Sequence, residues 1–245
     1  MRICLEFQLE KPELDKDYRR FFLSIIKSAL SKYSEGILMN HYYNGTKQKD
    51  FTWSVVLSKP IFKKDSISLE NNQVKMILST DDTKKTGYLL FSAFLKLKNI
   101  ALPLANENKI VLKNIRQLPQ KIIDQRTLTL KMAAGSPLVV RKHDEASNID
   151  TYYSVEDKQF GVELLDNLKR QAFEAGFSET YISSLKVNPV TCKKIVVYNY
   201  GIFFDATVGL FDIEGEPILL QHYYQNGIGS KRSAGFGMID VISTK

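Results

Sequence analysis

The chain has little of what most metal and redox sites are made from. Cys4 and Cys192 are its only cysteines and His41, His143 and His222 its only histidines. The cysteines lack the spacing of a zinc motif, so a zinc fold is excluded, and two distant thiols suit a reducing compartment, where they serve as core residues. No acidic pair, His-x-His set or Asp/Glu cluster has the spacing of a metal nuclease, and neither a metal nor another cofactor is expected. Long apolar runs are also missing, which argues against a membrane span. Met1-Arg2-Ile3-Cys4-Leu5-Glu6-Phe7 alternates as a strand does and builds no signal-peptide stretch, so a cytoplasmic location is the expectation.

Positive charge and glycine, by contrast, are concentrated. The net charge over 245 residues is +7, and the segment from Lys109 to Lys142 holds eight cations (Lys109, Lys113, Arg116, Lys121, Arg126, Lys131, Arg141, Lys142) against one anion, Asp124. The remainder is nearly neutral. Such a segment is either a solvated strand face or the wall of a groove for a phosphate backbone. Four of the thirteen glycines fall in Gly227-Ile228-Gly229-Ser230-Lys231-Arg232-Ser233-Ala234-Gly235-Phe236-Gly237. Glycine enters left-handed backbone conformations without steric cost, so this is a shaped loop or a flexible turn. A Walker loop requires Gly-Lys-Ser/Thr before a helix, and Lys231 follows Ser230; a dinucleotide fingerprint requires a third glycine where Arg232 stands. A basic loop with paired glycines at each end suits a polymer phosphate better than a mononucleotide.

Periodicity organises the chain as a series repeated twice. A strand at Ile3, Leu5 and Phe7 precedes a helix from Asp17 to Tyr33, whose apolar positions include Phe21, Phe22, Ile25, Ile26 and Leu30, and Ser34-Glu35-Gly36 ends it. Ile37 to Asp50 is expected as a strand end and exposed loop, followed by a strand at Phe51 to Leu57. A hairpin is expected across Ile67-Ser68-Leu69 and Val74 to Leu78, turning at Asn71-Asn72. A helix over Gly87 to Lys98 and a strand over Ile110 to Leu118 complete the ferredoxin-like β-α-β-β-α-β order. After a joint at Pro119 to Asp124 come strands at Thr127 to Leu130 and Leu138 to Val140. A helix follows from a Ser154 cap, with Asp157 at the capping-box position, to Gly176. Strands at Lys194 to Tyr198 and Ile202 to Phe211, a short helix from Pro217, and a strand at Met238 to Ile242 repeat the order. The expected fold is α+β: tandem ferredoxin-like domains, 1–120 and 121–245, each with an antiparallel sheet. The lone Trp53 is expected in the core.

The glycine loop between last helix and last strand, Gly135-Ser136-Pro137-Leu138-Val139-Val140-Arg141 opening the second half, and His41 after the first helix together resemble a known family. It is the sixth family of CRISPR-associated endoribonucleases, in the RAMP superfamily. The resemblance covers nearly the whole chain. It implies a metal-independent enzyme that cuts repeat RNA in precursor transcripts, by 2′-hydroxyl attack, leaving a cyclic phosphate and a 5′-hydroxyl. It implies His41 as the catalytic histidine, with Tyr33 and Lys47 beside it; Tyr42 or Tyr43 are alternatives for the tyrosine, and Lys49 is the next lysine. Lys231, Arg232, Gly229, Gly235, Lys49, Arg126, Lys131 and Arg141 are the expected RNA-binding set. The loop either holds RNA or packs against the first helix and positions His41. His222 is expected to pack or touch RNA, and His143 to lie at the surface. Implied partners are repeat RNA or crRNA, other subunits of a CRISPR effector complex, and a second copy in a homodimer. The rival is a non-catalytic RAMP subunit that grips crRNA with the same loop.

Overall fold

The computed structural model describes residues 1–45 and 48–244. In the first half, β1 (Arg2–Leu9) is followed by a short strand β2 (Glu13–Asp15), helix α1 (Tyr18–Ser34) and helix α2 (Ile37–Tyr43). Strand β3 (Phe51–Leu57), short strands β4 (Ile61–Phe62) and β5 (Ser66–Ser68), and β6 (Gln73–Thr80) lead to helix α3 (Thr86–Leu95). Strands β7 (Ala101–Pro103) and β8 (Lys109–Leu118) close the half. The main sheet runs β3-β6-β1-β8-β7, with antiparallel pairing between neighbours. Without β7, this is the ferredoxin-like arrangement.

The second half repeats it. Strand β9 (Thr127–Met132) and a hairpin of β10 (Val140–Asp144) and β11 (Ile149–Tyr153) precede helices α4 (Phe160–Glu174) and α5 (Glu179–Ser183). The long strands β12 (Lys186–Asn199) and β13 (Ile202–Glu214), helix α6 (Pro217–Asn226), a 3₁₀ turn at Arg232–Ala234 and β14 (Ile239–Thr244) follow. The sheet order β12-β13-β9-β14 has the same permutation of first, second, third and fourth strands as the first half. The fold is a tandem ferredoxin-like α+β structure with antiparallel sheets. Ile3, Leu5 and Phe7 meet Phe22, Ile26 and Leu30 of α1 in one core, and Leu128 and Leu130 meet Leu164, Leu168 and Leu220 in the other.

Several expectations are corrected. Ile37 to Asp50 is not strand and loop, since it begins with α2. Leu38, Met39, Tyr42 and Tyr43 recur at helical spacing and pack on the first core, while His41 faces solvent. Glu35 and Gly36, both left-handed, end α1 and redirect the chain straight into α2. The Asn71-Asn72 hairpin does not form, because β5 pairs with β2 and β4 while β6 pairs with β1 and β3. Asp157 does accept from the Ser154 backbone and hydroxyl, at 2.7 and 3.0 Å, but this knot sits in a turn ahead of α4, whose N-cap is Gln159. Leu138 makes only an isolated bridge with Thr207, and the strand starts at Val140.

The glycine-bearing segment 227–237 is fastened to β3, the edge strand of the first sheet. Trp53 is fully buried there, and its indole N–H donates to the Ser233 carbonyl at 2.9 Å; the Thr52 hydroxyl donates to the Phe236 carbonyl at 2.9 Å. Gly235 has φ +91°, and a Cβ there would lie 2.7 Å from the Trp53 ring, so both backbone and space demand glycine. Gly235→Ala is therefore expected to cost about 2–4 kcal/mol of stability, from strain plus a steric clash. Urea unfolding of the two proteins measures it, and an unchanged midpoint would show that the loop does not rest on Trp53.

Candidate nucleic-acid interface and histidine site

The three histidines occupy three different environments. His143 is bound to Asp150, Nδ1 to Oδ1 at 2.8 Å. His222, on α6, is mostly buried between the edge of Phe177 and Asn226, whose amide Nδ2 lies 3.0 Å from His222 Nδ1. Burial, reinforced by the Arg232 charge, lowers its pKa to about 4. His41 alone is exposed without a carboxylate partner among the described residues, its ring edge against Tyr42 at 5.2 Å between centroids.

The helix carrying His41 is held by its neighbours. The Tyr42 hydroxyl meets the Thr86 hydroxyl at 2.8 Å, and Thr86 donates onward to Asp50 at 2.8 Å. Tyr43 lies with the ammonium groups of Lys27 and Lys49 4.8 and 5.6 Å from its ring centre, and burial raises its phenol pKa. Lys49 is itself held below the ordinary lysine value by burial and by Lys27. Tyr33 packs half-buried against the core behind α1, so its ring serves the apolar stripe. The expectation for Lys47 falls outside the described residues.

From Lys49 a cleft of about 860 Å³ runs between α4, the β10 strand and the glycine loop. Lys49, Arg141, Gly229, Lys231 and Arg232 of the expected set line it, joined by Arg170. Arg126, Lys131 and Gly235 do not: Arg126 pairs with Glu216 at 3.0 Å, Lys131 lies exposed on β9, and Gly235 is against Trp53. Lys231 and Arg232 differ sharply. The Lys231 ammonium stands 5.6 Å from the ring centres of both Tyr152 and Phe204, and burial holds it below the ordinary lysine value. Arg232 is only 7% exposed, donates to the Asn226 carbonyl at 3.0 Å and to Gln48 at 2.5 Å, and is held down to about 10 by burial. Its guanidinium is committed to the loop, leaving little of it for a phosphate.

The cationic segment is likewise less bare than its composition suggests. Lys109 pairs with Glu10, Arg116 with Glu6, Arg126 with Glu216, Arg141 with Asp150, and Lys142 with Glu163. These cations are spread over β8, the residue before β9, and β10, and do not form one groove wall. Missing from the expected set were Arg170 and Asn167 of α4. Asn167 accepts from the Ser230 hydroxyl at 2.7 Å and donates to the Arg141 carbonyl at 3.1 Å, tying helix, loop and strand together. A polar stripe at Asn167, Arg170, Gln171 and Glu174, spaced as one helical face, is the signal that marks them. Among the described residues, no group of three or more His, Cys, Asp or Glu side chains converges as a metal site.

The depressed His222 pKa has a consequence for stability. The unfolded chain, with its histidine near 6.5, takes up the proton more readily than the folded one, so the contribution is complete above that pH and disappears as pH falls toward 4. The loss approaches about 3 kcal/mol. His222→Gln is expected to flatten this part of the stability profile between pH 6.5 and 4. Denaturation midpoints that fall in parallel for both proteins would contradict a buried neutral imidazole.

Comparison with known proteins agrees with this architecture. A Cas6-related protein from Pyrococcus furiosus is 18% identical and superposes with a TM-score of 0.82, covering 100% of this chain and 99% of that one. An RAMP protein described as binding different RNA substrates is 18% identical, with a TM-score of 0.81 over 99% of this chain and 100% of that one. A Cas6 product complex matches at 16% identity and a TM-score of 0.71, covering 98% and 99%. At these identities the likeness shows the fold. No curated protein sequence matches significantly. The family model for the C-terminal part of the CRISPR-associated protein Cas6 matches residues 118–241, which include the opening stretch of the second half and the whole glycine loop. That match spans just over half of the chain, and the protein belongs to the Cas6 family.

Proposed function

We propose that the protein is a metal-independent endoribonuclease that cuts the repeat RNA of CRISPR precursor transcripts to release crRNAs, with His41 as its catalytic residue. The observation that carries this reading is the contrast among the histidines: His143 is tied to a carboxylate and His222 is buried, while His41 stands open to solvent on a helix anchored from behind. Family membership supplies the class of substrate. One similar structure is a product complex and another is described as binding different RNA substrates, and the basic cleft of this chain suits the phosphates of an RNA.

The chemistry follows from one side chain able to move a proton. The ribose 2′-hydroxyl attacks the adjacent phosphorus, its proton leaves to a base, the 2′-O–P bond forms, and the P–O5′ bond breaks as the 5′-oxygen gains a proton. Imidazole serves either proton transfer near neutrality, and such groups contribute roughly 10²–10⁴-fold. Charge accumulating on the phosphorane is met by an ammonium, for which Lys49 beside Tyr43 is the described candidate. Lys231, Arg141 and Arg170 hold the flanking phosphates. Tyr33 and Tyr43 pack their rings on the first core and the Tyr42 hydroxyl is bonded to Thr86, so the step is written without a tyrosine.

That commitment of the tyrosines favours a second reading, in which the protein grips crRNA within an effector complex without cutting it. Incubating repeat RNA with the protein in EDTA separates the two. Cleavage is expected, with His41→Ala slowing it by about 10²–10⁴-fold at little cost in binding, and a 2′-deoxy nucleotide before the cut blocking it. Binding without cleavage by the unaltered protein establishes the second reading.

The two loop cations give a separate prediction. Lys231→Ala is expected to weaken RNA binding and to lower the slope of log affinity against log salt by about 1. Arg232→Ala should instead lower the melting temperature, because the Asn226 carbonyl loses its buried donor. Equal effects of both substitutions on the salt slope would show that Arg232 also meets phosphate.

A further inference from the structure

Helix α2 is too short to hold itself in place. It has seven residues, and isolated helices shorter than about 12 residues are marginal in water, so the position of His41 is set by whatever α2 is fastened to. Its apolar residues pack on the first core, but apolar packing has no direction and leaves a two-turn helix free to slide or rotate. Directional hydrogen bonds remove that freedom. One lies at the start, where the Ser34 hydroxyl accepts from the Leu38 amide at 2.8 Å. The other leaves from Tyr42, the neighbour of His41, and reaches Thr86 at the first position of α3.

Thr86 is fully buried, and its hydroxyl bonds two segments other than its own helix. The single hydroxyl proton goes to the Asp50 carboxylate at 2.8 Å, so the Tyr42 phenol donates to Thr86, also at 2.8 Å. The chain of bonds therefore runs one way, from Tyr42 through Thr86 to Asp50. Burial, with the Asp50 charge, raises the Tyr42 phenol pKa and so keeps the donated proton in place. Both ends of the anchor are fixed. Gly87 lets α3 begin close against the end of β6, where a Cβ would stand 2.6 Å from the Thr80 hydroxyl oxygen. The Asp50 carbonyl accepts from the Asp81 amide at 3.2 Å, and Asp50 directly follows Lys49.

We propose that Thr86 and Asp50 are positioning residues for RNA cleavage: their bonds pin Tyr42, whose ring edge 5.2 Å from that of His41 then fixes the imidazole relative to the Lys49 segment. This rests on the assignment of His41 above and gives the Tyr42 hydroxyl a part in it, which is to hold the helix without touching RNA. Proton transfer tolerates little misplacement, and an error of about 1 Å made far from the chemistry can cost about 100-fold.

The test is single-turnover cleavage of repeat RNA at saturating protein, with affinity measured separately. Thr86→Val keeps the side chain's shape and removes its hydroxyl; it is expected to slow cleavage about 10- to 100-fold with affinity unchanged. Tyr42→Phe and Asp50→Ala should do the same, Thr86→Val combined with Tyr42→Phe should be no worse than either alone, and Thr86→Ser should restore the rate. Rates are read well below the melting temperature, where an unfolded fraction lowers the amplitude and leaves the rate constant unchanged. A second readout needs no cleavage. In protein labelled with carbon-13 histidine, the His41 ring signal, assigned by its absence from His41→Ala, should shift in Thr86→Val while that of His143 stays. If the unaltered protein binds RNA without cutting it, the cleavage reading fails, and the His41 signal alone decides the placement: a shift supports it and a fixed signal overturns it. An unchanged rate in Thr86→Val, or a loss in Tyr42→Phe that Thr86→Val does not reproduce, also overturns the proposal.

Discussion

The contact on which the rest of this structure depends is the clasp between the glycine loop and β3. An edge strand exposes a row of unpaired backbone groups and invites association with other chains. Here the loop from the second half covers it, with Trp53 reaching the Ser233 carbonyl and Thr52 the Phe236 carbonyl. The loop in turn is pinned on its other side, where the Ser230 amide donates to the Val139 carbonyl at 2.8 Å and the Gly237 amide to the Pro137 carbonyl at 2.9 Å. Arg2 adds a second tie between the halves, its guanidinium over the Tyr224 ring and bonded to Asp240. The lining of the basic cleft is thus drawn from both halves, with Gln48 and Lys49 of the first beside α4, β10 and the glycine loop of the second.

The clasp explains why neighbouring cations in the loop have separate fates. A left-handed Lys231, with φ 57°, sends its side chain toward the rings of Tyr152 and Phe204, and the turn that follows drives Arg232 inward, where it bonds the Asn226 carbonyl. A buried arginine is tolerated only when its donors are used. Its partners are a carbonyl at the end of α6 and the Gln48 side chain, so Arg232 ties the loop to the segment leading from α2 into β3. Lys231, Arg141 and Arg170 line the cleft as well, and under the proposed function they are the cations left for phosphate.

Elements whose signal is local were legible in the sequence. The α1 stripe, the left-handed stop at Glu35-Gly36, the Pro217 start of α6 and the glycine loop each follow from residues close together in the chain. Helix α2 was not, because seven residues between a glycine and an asparagine offer barely two turns of periodicity, and the glycine that stops one helix here starts the next. Charge pairing was illegible for a different reason. Arg116 meets Glu6 across neighbouring strands, and Arg126, just before β9, meets Glu216 at the N-cap of α6, pairings that no spacing reveals. The site divided along the same line: Lys49, Arg141, Gly229 and Lys231 come together, whereas Arg126 and Lys131 are carried elsewhere by the register of β9.

Histidine chemistry shows why residue type alone could not assign the site. All three imidazoles have the same intrinsic capacity for proton transfer, and the fold gives each a different use. A carboxylate partner, Asp150, engages one ring nitrogen of His143. Burial next to Arg232 keeps His222 neutral, with its Nε2 buried and without a hydrogen-bond partner among the described residues. His41 escapes both constraints because α2 is amphipathic over only two turns: its apolar residues anchor it on the first core, and the residue between Asn40 and Tyr42 is forced outward. The short helix thus holds His41 from behind and leaves it open in front, the two conditions that the proposed function asks of a side chain meeting a large, charged substrate.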